Sequence, residues 1–93
     1  MTRQATVTIE VQNRLGLHAR PAMAFVDTAS AHQCEVRVRR EDAEQVVNGK
    51  SIMEVMMLAA TQGVKLVIEA EGEDAEQACA ALKKLAAEGF HDD

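Results

Sequence analysis

The stretch "VKLVIEAEGEDAEQACAALKKLAAEG", residues 64–89, changes its hydrophobic period once, and that change decides the fold. Up to Gly72 the apolar residues alternate. Val64, Leu66, Ile68 and Ala70 share one face, as a strand with a period of two requires. Val67 makes the opposite face partly apolar, which predicts a central strand. From Asp74 onward the spacing lengthens to Ala75, Ala78, Cys79, Leu82, Leu85 and Ala86, the stripe of one helix face. Asp74 is placed to cap that helix and Gly89 to stop it. A strand with one apolar face, followed by a helix with one apolar stripe, requires the helix to cover the sheet.

The same two periods recur toward the N-terminus. Ser51 precedes "IMEVMMLAA", a short helix expected to end near Gln62–Gly63. Residues 34–40, "CEVRVRR", alternate with Cys34, Val36 and Val38 inward; the polar "EDAE" then predicts a hairpin turn into a short strand near 45–47. The second and third strands are therefore expected to be antiparallel neighbours. Further back, "TVTIEVQ" at 6–12 sets Val7, Ile9 and Val11 on one face. After the loop "NRLGLH", a helix starts just past His18, with Ala22, Phe25, Val26 and Ala29 as its stripe. Pro21 is tolerated there because first-turn amides have no intrahelical partner. The order is β-α-β-β-α-β-α, and one-sided strands argue for an antiparallel or mixed sheet whose single apolar face is covered by helices.

A chain of 93 residues is expected to form a single domain, 1–93, that buries roughly 60–65% of its unfolded surface around one thin core. With aromatics at 2% and no Trp or Tyr, that core must be built from Ala, Val, Ile, Leu and Met. The net charge of -5, with acidic residues toward the C-terminal half and in Asp92–Asp93, opposes binding to nucleic acid, as does the lack of stacking platforms. Cys34 and Cys79 lie in apolar patterns, which predicts reduced core thiols. No apolar run approaches the roughly 20 residues of a membrane span, and the N-terminus has no apolar signal core, so a cytoplasmic protein without membrane insertion is expected.

Three features carry candidate chemistry. Gly49-Lys50-Ser51 ends like a phosphate-binding P-loop, yet Glu44 stands where the motif needs its first glycine. Ser51 and Glu54 instead match a capping box, with the serine oxygen accepting from the third helical amide and the glutamate answering to the cap's own amide. A hydroxyl at a helix N-terminus is also a favourable place for an added phosphate, and local sequence leaves both roles open. In "LGLHARPAM", residues 15–23, a neutral ring nitrogen of His18 can attack phosphorus, beside helix amides and the Arg20 guanidinium that favour an anion. Local physics equally allows His18 to be an ordinary capping histidine. Gly16 gives that loop freedom to present the ring outward. Third, the helix after Ser51 is apolar nearly all round, so part of the set Ile52, Met53, Val55, Met56, Met57 and Leu58 should stay exposed as an adaptable docking surface. His32 and His91 do not supply a zinc ligand set, no triad is evident, and no metal or cofactor is expected.

"NRLGLHARPAM" followed about thirty residues later by "GKSIMEVMMLAATQG" resembles the HPr family of histidine phosphocarriers of the bacterial phosphoenolpyruvate:sugar phosphotransferase system. The resemblance covers nearly the whole chain, including "EAEGEDAEQA". It implies an α+β fold, the open-faced β-sandwich in which a four-stranded antiparallel sheet carries three helices on one face. It also implies a carrier rather than an enzyme, with His18 accepting phosphate on Nδ1 from phosphorylated Enzyme I and passing it to enzyme IIA domains. Arg20 corresponds to the arginine that helps hold and transfer the group, and Ser51 to a serine phosphorylated by HPr kinase/phosphorylase in many bacteria. Ile52, Met53 and Met56 fall in the family's partner-docking patch, and a diffusing shuttle of this kind is expected to be a monomer.

The stretch "RREDAEQVVNG" is about two residues longer than in typical carriers, which should enlarge a turn rather than disturb the site. "NRLGLHARPAM" and "EGFHDD" are also similar to the NPr paralogue of the nitrogen-related branch, a regulatory alternative, whereas "GKSIMEVM" is more similar to carriers that are kinase substrates.

Overall fold

In the computed structural model, which describes residues 3–91, the chain runs β1 (Gln4–Glu10), α1 (Ala19–Ser30), β2 (Glu35–Arg40), β3 (Val47–Asn48), α2 (Ile52–Met57), β4 (Lys65–Glu71) and α3 (Ala75–Ala87). A short 3-10 turn, Gly89–His91, follows. The acidic ending at Asp92–Asp93 lies outside the described residues. All pairings are antiparallel and the sheet order is β1-β4-β2-β3, which places β4 inside the sheet as its two-sided apolar pattern requires.

Register explains how one face becomes the core. Val7 lies opposite Ile68, Ile68 opposite Val38, and Val38 opposite Val47, one inward row crossing all four strands. Ile68, Val38 and Val47 are buried and Val7 packs against them from the edge. The α3 stripe of Ala75, Ala78, Cys79, Leu82, Leu85 and Ala86 is buried in full, and α1 contributes Ala22, Phe25 and Ala29, with Val26 half-buried. The opposite sheet face is open and mostly polar, with Val67 half-buried on it and Arg37 paired to Glu35 at 2.9 Å and to Glu71 at 3.3 Å. One sheet face covered by helices is what the alternating strands and striped helices predict, and the architecture is the open-faced sandwich that the resemblance implies.

Several boundaries differ from the sequence reading. β1 starts earlier and ends at Glu10; Val11 still exchanges bonds with the loop before β4, donating to Val64 O at 2.9 Å and accepting from Gly63 N at 2.7 Å. β3 is only Val47–Asn48. Helix α2 stops at Met57, well before Gly63, because Leu58 caps it and Ala59 takes the left-handed conformation, φ +50°, that a terminating glycine usually supplies. Asp74 does not cap its own helix. With φ -100° and ψ 24° it lacks the extended geometry of a cap, and its carboxylate accepts the amides of Gln33 at 2.8 Å and Cys34 at 2.9 Å. Those bonds hold its carboxyl below the usual carboxylate range, led by the one from Gln33. Gly89, φ +69°, does end α3, and the chain then turns Phe90 into the core, a residue that periodicity could not flag. Cys34 and Cys79 are free and buried, and burial pushes both thiols up, with Asp74 adding to the effect on Cys34.

Candidate functional site

The loop between β1 and α1 is held at both ends. Asn13, a buried polar residue, donates from Nδ2 to Gly89 O at 2.7 Å, anchoring the loop to the end of α3. A turn closes with Gly16 N donating to Asn13 O at 3.0 Å, and Leu17 N then donates to Ala60 O at 2.8 Å in the crossover between α2 and β4. Gly16 is required for contact as well as conformation. At φ +70° a Cβ there would stand 2.4 Å from Ala60 O and 2.9 Å from Thr61 Cα.

This loop delivers His18 to the cap position of α1, with φ -77° and ψ -167°. Its carbonyl accepts the first helical bond, from Ala22 N at 2.9 Å, but its ring makes no capping bond to the helix. The plain capping reading of this histidine therefore does not describe its ring. The side chain is half-buried with Nε2 turned inward, away from solvent. Arg20, two residues on, is exposed. A shallow depression lined by Leu15, Leu17, His18, Met56, Ala59 and Thr61 joins the ring to α2.

At the start of α2, Ser51 is the cap. Its Oγ accepts from Glu54 N at 3.3 Å. The return arm of the expected box goes elsewhere: Glu54 Oε1 accepts from Asn48 N at 3.1 Å, because Ser51 N is already bonded to Asn48 O at 3.1 Å. The neighbouring Gly-Lys pair has its own structural duties. Lys50 Nζ donates to His32 O at 2.6 Å near the end of α1, and a Cβ on Gly49 would meet Val36 Cγ1 at 2.6 Å and Phe25 Cε1 at 3.3 Å. Neither is disposed as in a nucleotide cradle.

Helix α2 divides as its composition requires. Val55 and Leu58 are buried, Ile52 is half-buried against the core, and Met53, Met56 and Met57 are exposed at 77%, 44% and 64%. Three exposed apolar residues escaped the sequence reading, among them Val46 just before β3. Leu15, 72% exposed, stands in the histidine loop, and Met23, 55% exposed, lies on α1 off its buried stripe; being out of phase with the stripe was the available signal. Among the described residues, no group of three or more His, Cys, Asp or Glu could hold a metal ion, and no helix is long and apolar enough to cross a membrane.

The family model described as the PTS HPr component phosphorylation site matches residues 5–88. Phosphocarrier protein HPr of Pseudomonas aeruginosa is 51% identical over 77 residues, which cover 83% of this chain and 84% of that protein. Phosphocarrier protein NPr of Escherichia coli K12 is 34% identical over 86 residues, covering 92% and 94%. Among solved structures, HPr-C-His from Thermoanaerobacter tengcongensis superposes with a TM-score of 0.87 at 43% identity, covering 96% of this chain and 98% of that one. The match across nearly the whole fold, and over both the histidine loop and the Ser51 helix, places this chain in the HPr family of phosphocarrier proteins of the phosphotransferase system.

Proposed function

We propose that this protein accepts a phosphoryl group on His18 Nδ1 from phosphorylated Enzyme I and passes it to an enzyme IIA domain in sugar uptake. The observation that carries the reading is the placement of the His18 ring: at the N-terminus of α1, with Nε2 turned inward, in a depression shared with the exposed Met56. Nε2, turned inward, is shielded from an incoming group, and the transfer is assigned to Nδ1. In the forward step the Nδ1 lone pair forms a bond to phosphorus while the bond from phosphorus to its donor atom on Enzyme I breaks, its electron pair leaving with the donor. Nε2 carries the ring proton throughout. The N-terminal turn of α1 and the Arg20 guanidinium stabilise charge on the equatorial oxygens, so the carrier needs no pocket of its own and the partner completes the site.

Docking is assigned to Met53 and Met56, with half-buried Ile52 at the edge of the patch. Ser51 is the regulatory position, open to HPr kinase/phosphorylase. A phosphate there would add roughly -1.5 to -2 charge beside Glu54 and the apolar face, which weakens docking to Enzyme I. The carrier works as a cytoplasmic monomer. Identity of 51% to an HPr against 34% to an NPr supports the sugar branch over the nitrogen-related regulatory branch.

The test is a reconstituted relay of labelled phosphoenolpyruvate, Enzyme I, this protein and an enzyme IIA domain. Label should reach the IIA domain with the parent and fail to do so with His18→Gln. Equal transfer by the two would overturn the reading.

A further inference from the structure

The alternation that sends Val36 and Val38 inward on β2 also sends position 40 inward, opposite the fully buried Leu66, and that position holds an arginine. A cation at the end of an apolar row requires partners. Among the described residues the Arg40 guanidinium makes four hydrogen bonds. Its Nε and Nη2 donate to Asp42 Oδ1 and Oδ2, both at 2.9 Å, and its Nη1 donates to Leu58 O at 3.3 Å and Ala59 O at 3.1 Å. The two carbonyls terminate α2, where the helix dipole favours a cation and where Ala59 is held at φ +50° without being glycine.

The turn after β2 is itself braced. Arg39 Nη1 donates to the carbonyls of Arg40 at 3.1 Å and Ala43 at 3.3 Å, and Ala43 N donates to Arg40 O at 3.1 Å. Asp42 is thus presented to Arg40 in the planar two-bond geometry that fixes a guanidinium in direction as well as position. What the guanidinium holds is the seat of the histidine loop. Ala60, one residue beyond its second carbonyl partner, accepts the Leu17 amide and lies against Gly16, and Ala59 and Met56 line the depression with His18.

We propose that Arg40, aligned by Asp42, is a positioning residue of the phosphocarrier site, fixing the residue 58–60 crossover on which the His18 loop rests. The proposal builds on His18 as the phosphoryl acceptor. The turn after β2 thereby reaches the site through its arginine.

The experiment compares Arg40→Met, which keeps the stem and loses the donors, with Arg40→Lys, which keeps a cation able to reach the carbonyls. Arg40→Met should speed hydrogen exchange at the Leu17 amide by about tenfold, and lower the rate of His18 phosphorylation at saturating carrier by about tenfold, with KM changing less than threefold. Arg40→Lys should recover most of both. A purely structural role would lower Tm and speed exchange uniformly across the core, leaving the saturating rate unchanged well below Tm. That result would overturn the proposal, as would Leu17 protection equal to the parent's. If the parent chain takes no phosphate on His18, the functional reading fails instead, and Leu17 exchange still decides whether Arg40 seats the loop.

Discussion

Gly16→Ala is the substitution whose cost can be worked most fully from the structure. Two terms contribute. The residue sits at φ +70°, where an L side chain costs roughly 1–2 kcal/mol. Its new methyl would stand 2.4 Å from Ala60 O and 2.9 Å from Thr61 Cα, both backbone atoms that cannot rotate aside. Overpacking of this kind costs about 1–3 kcal/mol, so the sum is about 2–5 kcal/mol, against a total of about 5–15 kcal/mol for a typical domain. The variant folds, but the loop lifts from the crossover and the Leu17 N to Ala60 O bond is lost. Gly63→Ala is the internal control: Gly63 has φ +91° with nothing within 4 Å of its Cβ position, so only the first term, about 1–2 kcal/mol, applies. Urea unfolding followed by circular dichroism reads both. With a slope of about 1–2 kcal/mol/M, Gly16→Ala should lower the midpoint by about 1–5 M and Gly63→Ala by roughly half of that or less. Equal midpoints for the two variants would refute the close approach of loop and crossover.

Three further outcomes follow from named contacts. Met53→Glu, at a side chain 77% exposed, should leave Tm within about two degrees of the parent while raising the KM of Enzyme I for the carrier severalfold; an unchanged KM would remove Met53 from the docking face. Ser51→Asp should slow phosphorylation by Enzyme I through charge beside the docking face, and equal rates for Ser51→Asp and the parent would sink the regulatory role. Asp74→Asn tests the clamp on the amides of Gln33 and Cys34. Because the folded carboxyl is depressed, its stabilisation is fully present above the unfolded value of about 3.9 and is lost as pH falls through the folded value. The gap in Tm between parent and Asp74→Asn should therefore shrink on acidification from about pH 5 to about pH 2; a constant gap would show that the carboxylate charge contributes nothing.

The strands and long helices were legible because their periods are set by burial on one face, and residues such as Ile68 and Leu82 obey that rule without exception. Harder to read were places where a distant partner decides a local choice. Asp74 has the sequence position of a cap, yet its carboxylate serves amides about 40 residues away in sequence, a choice no local rule expresses. Helix α2 ends early because Ala59 accepts a left-handed backbone that sequence reasoning assigns to glycine, and its carbonyl gains the Arg40 donor. Phe90 belongs to no periodic pattern and reaches the core only because Gly89 reverses the chain. In the candidate site, "LGLHARPAM" placed His18 at its helix start, and "IMEVMM", apolar nearly all round, required some of its methionines to stay exposed. The seating of the loop was hidden, since Gly16 reads as freedom in the sequence and acts as close contact in the fold.

That His18 carries the phosphoryl group is tested most directly by locating the phosphorus after reaction with Enzyme I and phosphoenolpyruvate. Phosphorus-31 NMR with long-range proton–nitrogen correlation of the imidazoles identifies both residue and ring atom. One acid-labile phosphate on Nδ1 of His18 is expected, with His32 and His91 unmodified. Acid-labile phosphate on either of those histidines, or on Nε2 of His18, would contradict it.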